Sequence, residues 1–178
     1  MSKTNNFVFK ALYIVTWIIF IGLFIEMIGL FVNFLFSIFK PEFVPKLYQK
    51  LDLTMMYKEN KFGFYGIYGF ILIICYLKTS LFYILLELMH KIDLTKPFNS
   101  LVSRQILLIS YYTLSTGLVI YIGGQITKRL VQHDSIAGNL NQFWTDGEAF
   151  ILMGAVVYII GTIFKKGVDL QTENDLTI

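Results

Sequence analysis

Four long runs of apolar residues dominate the chain and leave few folds open to it. They extend over residues 11–39, 62–86, 106–124 and 149–164. Crossing a hydrocarbon layer of about 30 Å takes roughly 20 helical residues, because each residue advances the helix by about 1.5 Å. Backbone groups in lipid must be hydrogen-bonded internally, and a few long runs cannot close a β-barrel. The sequence therefore predicts an all-α membrane protein with four transmembrane helices in one bundle.

The charged residues support a lipid environment, since they make up only 15% of the 178 residues. A soluble domain carries about 25% charged residues, which cover its surface. Within the four runs the only charged residues are Glu26 and Lys78. We expect a single four-span membrane domain over residues 1–178. Its spans are predicted at about 11–39, 62–88, 103–124 and 147–164, followed by a polar tail over 165–178.

The direction in which the chain crosses the membrane is weakly encoded. The first apolar run is much longer than the roughly 7–15 residues of a signal-peptide core, so we expect it to remain as an anchor. Lysine and arginine divide equally between the two sets of loops, and so they do not fix the orientation. We expect both termini to be cytoplasmic, because the number of spans is even and Lys165 and Lys166 lie at a span boundary.

The connections between spans carry three local signals. Residues 40–61 place Leu47, Leu51 and Met55 on one helical face, which indicates a short interfacial helix, with a plain polar loop as the alternative. Before the third span, Asn99 or Ser100 is placed to cap the helix. Before the fourth span, residues 143–144 are Phe-Trp, a pair typical of an interfacial aromatic anchor.

Two ionisable residues lie at membrane depth, where a charge costs at least about 2.5–3.5 kcal/mol and usually faces protein or water. In the first span Gly22, Glu26, Gly29 and Asn33 share one helical face, which we expect to contact protein. Lys78 lies at a similar depth in the antiparallel second span. We therefore predict a Glu26–Lys78 ion pair and take Glu26, Asn33 and Lys78 as a candidate intramembrane polar site.

The role of this polar site is open from sequence. It could be a proton or ligand site, or an inert pair that fixes the register of two helices. Lys78 could instead extend alone toward a lipid headgroup.

Small residues recur at helical spacing in the other three spans. Such faces let helix backbones approach closely in lipid, and so they predict packing within one compact bundle. The sets are Gly63, Gly66 and Gly69 in the second span, Ser110, Thr113 and Gly117 in the third, and Gly147, Gly154 and Gly161 in the fourth.

Several classes of function are disfavoured. The single cysteine, Cys75, allows neither an intrachain disulfide nor a cysteine-based zinc site. His90 and His133 lack partners at metal-ligand spacing, and Glu87 is best placed to reach headgroups. The sequence contains no nucleophile elbow, phosphate-binding loop or H-E-x-x-H motif. We expect no enzyme, no cofactor, no metal and, at a net charge of +3, no direct nucleic-acid binding.

Two segments carry a resemblance to a known family. They are Asp93–Asn99, with the sequence D-L-T-K-P-F-N, and Phe164–Ile178, with G-V-D-L-Q-T-E-N-D-L-T-I at its end. Together with the four-span layout, they resemble the bacterial membrane-protein family catalogued as domain of unknown function 2975. The resemblance implies a multi-pass protein of the bacterial cytoplasmic membrane, often encoded beside a small helix-turn-helix regulator of the Xre type. The family has no assigned catalytic residues. The matched positions are candidates for a docking or structural motif: Asp93, Pro97, Phe98, Asn99, Gly167, Glu173, Asn174 and Asp175.

These observations favour a non-enzymatic integral membrane protein that acts through a partner. We expect this chain to lie in the lipid bilayer and to bind a cytoplasmic helix-turn-helix regulator or another membrane protein. The alternative is a small transporter, channel or immunity-type protein with a polar path at Glu26 and Lys78. A subunit whose spans only pack against other membrane proteins is a third possibility.

Overall fold

The computed structural model describes residues 3–40, 42, 53–92, 99–130 and 140–175, and nearly all of them are helical. Within these ranges no strand occurs. The predicted all-α fold, with four long helices in one bundle, is confirmed. The helices are α1 (Lys3–Phe39), α2 (Thr54–Glu59), α3 (Lys61–Lys91), α4 (Ser100–Leu130), the short α5 (residues 140–144) and α6 (Gly147–Asp175).

The four long helices pack in chain order, each antiparallel to the one before it. The principal contacts join α1 to α3, α3 to α4, and α4 to α6. All four therefore have ends on two common sides of the bundle. We call the side with Lys91, Ser100 and Glu173 the tail end, and the side with Phe39 and Gly147 the opposite end.

The hydrophobic core lies toward the opposite end. Its centre is the first half of α3, where Phe64 and Ile71 are almost completely buried. Met56 of α2 and Leu53, the residue before that helix, cover this region, and Leu140 covers it from the start of α5. The opposite end is thus closed by short helices packed on α3.

Side-chain caps set where two of the long helices begin. The Asn99 Oδ1 atom accepts a hydrogen bond of 2.8 Å from the backbone N–H of Val102, which satisfies one donor of the first turn of α4. The predicted cap of the third span is confirmed with Asn99 as the capping residue. Asn60 plays the same part for α3 by accepting a 2.9 Å bond from Gly63.

The helices run beyond the apolar stretches. α4 begins before its predicted span and continues to Leu130, and α6 continues through most of the predicted polar tail to Asp175. The reason is that backbone hydrogen bonding holds a helix together in water as well as in lipid. Leu47 and Leu51 of the expected interfacial helix lie outside the described residues, so that helix stays a prediction.

Residues 143–144 do not form the expected interfacial anchor. Phe143 is buried in the core cluster, and the Trp144 ring packs against the α4 backbone at Gly123 and Gly124. The Trp144 Nε1 atom is buried and has no hydrogen-bond partner among the described residues. The interpretation was wrong because the two glycines open a slot for the indole, a tertiary feature that the Phe-Trp pair does not reveal.

Candidate functional site

Helices α4 and α6 pack through glycines at backbone distance. A Cβ atom added to Gly117 would lie 2.7 Å from the Ile151 backbone nitrogen, and one added to Gly154 would lie 2.8 Å from that of Leu114. Gly147 and Gly161 are similarly close to α4 side chains. The predicted packing role of the heptad glycines in the fourth span is confirmed. The predicted face of Ser110, Thr113 and Gly117 in the third span is buried as expected.

The remaining small residues do not pack in this way. A Cβ atom on Gly22, Gly29, Gly66 or Gly69 would meet no atom of the described residues within 4 Å. At Gly63 the nearest atoms belong to the neighbouring cap residue Asn60. The prediction of a close small-residue contact was therefore wrong for α3. A small side chain permits a close approach without causing one. On the α1 face that we expected to contact protein, Glu26, Gly29 and Asn33 are half-buried and Gly22 is exposed.

Polar bonds fix the register between α1 and α3. The Tyr68 hydroxyl donates a 3.1 Å hydrogen bond to the Leu30 carbonyl, and the Tyr65 hydroxyl donates one of the same length to the Ser37 carbonyl. This register brings the middle of α1 beside the middle of α3. The Cys75 side chain accordingly lies within electrostatic range of both Glu26 and Lys78.

The structure brings Glu26 and Lys78 to one region of the bundle without pairing them. No ion pair joins them in the described part of the chain. The Lys78 ammonium lies over the Phe150 ring of α6, with Nζ 5.5 Å from the ring centroid. Lys78 follows Cys75 by three residues and so lies about 60° around the helix from it. This angular offset directs the Lys78 side chain toward α6. Glu26 and Lys78 therefore do not form the expected ion pair, although they lie at a similar depth.

The third member of the candidate polar site, Asn33, is half-buried on α1, as is Glu26. It lies about two turns from Glu26, toward the opposite end. The three residues therefore occupy one part of the bundle without a direct contact that links them.

Charged and polar side chains gather where α3 ends and α4 begins. The Lys91 Nζ donates to Glu87 Oε1 at 2.6 Å, and Glu87 also interacts with the side chain of Gln105. The Gln105 Oε1 atom is buried and unpartnered among the described residues. Glu87, which we expected to reach headgroups, is thus engaged by protein groups.

A cleft of about 410 Å³ opens between α4 and α6 at the tail end. From α4 it is lined by Ser100, Ser103 and Arg104, and from α6 by Lys165 and Asp169. Sequence reasoning missed this cleft, because Arg104 and Lys165 are far apart in the chain. One signal could have revealed it: Arg104 comes just before the third apolar run and Lys165 just after the fourth. In antiparallel helices these two positions are at the same membrane border.

The residues of the candidate docking motif occupy this same end where the structure describes them. Asn99 caps α4, and Gly167 is half-buried on the last turns of α6. The Glu173 side chain is exposed, and Asn174 and Asp175 complete the α6 helix. Asp93, Pro97 and Phe98 lie outside the described residues. The described members of the motif, Asn99 and the α6 residues, therefore lie at the same end of the bundle.

A second cavity, of about 440 Å³, lies at the opposite end between α4 and α6. Lys128, Asp146 and Glu148 line it beside the Trp144 ring. Asp146 has a positive φ of 69°, where the chain turns from α5 into α6. In the described ranges, no three His, Cys, Asp or Glu side chains are grouped so as to hold a metal ion.

Four helices long and apolar enough to cross a membrane define the class: a multi-pass helical membrane protein. The chain belongs to the family described as Protein of unknown function (DUF2975), whose model matches residues 33–178. The resemblance seen in the sequence is thereby confirmed. No curated protein and no solved structure matches the chain. The match begins at residue 33, inside α1, so most of α1 precedes the matched residues.

Proposed function

We propose that this protein is a non-enzymatic membrane partner or sensor for a small cytoplasmic helix-turn-helix regulator, which docks at the tail end. In this proposal the tail end faces the cytoplasm of a bacterial cell. The observation that carries the proposal is the run of exposed side chains in the last turns of α6. From Asp169 to Glu173 every side chain is exposed, although the helix continues.

The last turns of α6 have the character of a docking helix. Leu170 is 61% exposed, and it follows Lys165 and Lys166, which mark the predicted membrane border. An exposed leucine among polar residues suits the mode in which one helix enters an apolar groove of a partner. The surrounding residues, such as Gln171 and Glu173, can supply a polar rim.

The base of this helix is held firmly. Gly154 and Gly161 lie against α4, and α4 starts at its Asn99 cap beside the last turns of α6. A docking element fixed in this way loses little conformational freedom on binding, which favours affinity. Asn99 lies at the same end, so a partner bound to the last turns of α6 would also be near the start of α4.

The test is co-purification of the full-length protein with a helix-turn-helix regulator encoded in its gene neighbourhood. Leu170→Ser should reduce the captured regulator at least about tenfold, in line with the loss of a buried apolar anchor. Leu130→Ser is the matched control, since Leu130 is an exposed leucine at the end of α4 on the opposite end. The proposal fails if deletion of residues 167–178 leaves capture unchanged.

The packing of α1 favours this role over a transport path. α1 contacts mainly α3, so the four helices of one chain do not surround Glu26. A path through the bundle would require Glu26 to be enclosed by several helices. If Glu26→Gln abolished ion or solute flux in proteoliposomes, the transport alternative would replace the role of regulator partner.

A further inference from the structure

The cleft between α4 and α6 at the tail end combines two cations with hydroxyl groups. The contact between Leu107 and Gly161 fixes the relative height of the two helices, so Arg104 and Lys165 face the cleft at nearly the same level. Both side chains are exposed and reachable. Ser103 lines the same cleft although it is only 4% exposed.

This set of groups suits an anion with several oxygens. An arginine can donate two parallel hydrogen bonds to a phosphate, and a lysine adds a point charge. Serine hydroxyls can donate to the remaining oxygens. Basic pockets between helices at a membrane border are the typical binding sites of anionic lipid headgroups.

The floor of the cleft distinguishes a lipid from a free anion. Leu107 and Leu108 continue the lining along α4 toward the middle of the membrane, and Tyr111 follows one turn deeper. Val168 supplies an apolar surface from α6. A free phosphate would gain nothing from these side chains, whereas an acyl chain can lie along them.

We propose that this cleft binds one anionic phospholipid, with its phosphate held between Arg104 and Lys165 and an acyl chain against Leu107 and Leu108. Asp169 also lines the cleft, one turn beyond Lys165 on α6. Its carboxylate opposes the phosphate and leaves the cleft with one net positive charge. The site binds an anionic lipid in preference to a zwitterionic one because the latter carries its own cation.

The experiment measures lipids bound to the full-length protein by native mass spectrometry during titration with phosphatidylglycerol. The double variant Arg104→Gln/Lys165→Gln should bind at least about tenfold more weakly, because two charge-assisted bonds are lost. The charge-preserving variant Arg104→Lys/Lys165→Arg should stay within about threefold of the unmodified protein. Equal weakening of both variants would contradict a charge-based site.

Two further variants separate binding from folding. Asp169→Asn should tighten binding several-fold, which damage to the fold would not do. Lys58→Gln/Arg129→Gln removes one exposed lysine and one exposed arginine at the opposite end and should leave binding unchanged. If that control weakens binding as much as the cleft variant, the cations act through overall charge and the proposal is overturned.

Competition identifies the source of the phosphate. Glycerol phosphate, which lacks acyl chains, should not displace phosphatidylglycerol at equal phosphate concentration. Displacement at equal concentration would show a site for free phosphate and would overturn the lipid assignment. Equal binding of phosphatidylcholine would overturn the charge preference.

Discussion

The two outer helices of the bundle, α1 and α6, are attached by different physical means. α6 meets α4 through glycines whose backbones touch the neighbouring helix, as at Gly117 and Gly154. α1 meets α3 through tyrosine hydroxyls and aromatic rings, as at Tyr68, which bonds to the Leu30 carbonyl and packs against Phe34. The contact between α4 and α6 is also the more extensive of the two.

This difference follows from lipid as a solvent. Apolar side chains gain little by leaving lipid for protein, so close backbone packing and hydrogen bonds decide which helices associate. α4 and α6 supply close packing over several turns, and α1 supplies a few hydrogen bonds. The tighter pair includes the Asn99 cap at the start of α4 and, at the end of α6, most of the second family-like segment. α1 lies mostly before the matched residues 33–178.

The largest effect should come from filling the glycine contact. Gly154→Ala places a methyl group 2.8 Å from the Leu114 backbone nitrogen, so the two helices must separate. We expect the free energy of unfolding in mixed micelles to fall by about 1–3 kcal/mol, the usual cost of overpacking.

The control is the same substitution on α1. Gly22→Ala adds a methyl group that meets no atom within 4 Å. Alanine is favoured over glycine in a helix by roughly 0.5–1 kcal/mol, so stability should be unchanged or slightly higher. If the two variants were equally destabilising, the contrast between α4–α6 and α1–α3 would be wrong.

A smaller effect should follow from loss of the buried hydrogen bond between α3 and α1. Tyr68→Phe removes the 3.1 Å bond to the Leu30 carbonyl and keeps the ring. Interhelical hydrogen bonds in membranes contribute about 0.6 kcal/mol on average, and we expect a loss of roughly 0.5–1.5 kcal/mol. Tyr76→Phe, at an exposed position of α3, is the control. Equal losses for the two variants would show that the Tyr68 bond contributes nothing.

The smallest effect should come from the ion pair at the end of α3. Lys91→Gln removes the 2.6 Å contact with Glu87, in which the Lys91 side chain is 47% exposed. Exposed pairs at this helical spacing contribute about 0.3–0.5 kcal/mol and are screened by salt. The difference in unfolding free energy should therefore shrink as salt is added. A loss of stability larger than that of Tyr68→Phe would mean that the exposed ion pair outweighs the buried hydrogen bond, contrary to this expectation.

The sequence predicted the parts of the fold that depend on one segment at a time. The four spans follow from length and hydropathy, and the Asn99 cap follows from local side-chain chemistry. The heptad of Gly147, Gly154 and Gly161 was also predictable, because its spacing keeps three small residues on one face. The family resemblance depended on local motifs in the same way, and residues 33–178 confirm it.

Features that depend on how each helix is rotated about its own axis could not be predicted from the sequence. Depth placed Glu26 and Lys78 together, but the rotation of α3 directs Lys78 to the Phe150 ring on α6. The same limit hid the cleft of Arg104 and Lys165, which exists only once α4 and α6 are packed. Gly22 is the opposite case. The sequence pattern places it on a face expected to contact protein, but no described residue packs against it.

The central claim is that four crossings place the start of α4 and the end of α6 on one side of the membrane. Single cysteines introduced into a Cys75→Ala background test it directly with a membrane-impermeant maleimide. Cysteines at Ser100 and Thr172 should react from the same side, and cysteines at Leu130 and Thr145 should react only from the other. Labelling of positions 100 and 172 from opposite sides would contradict the claim.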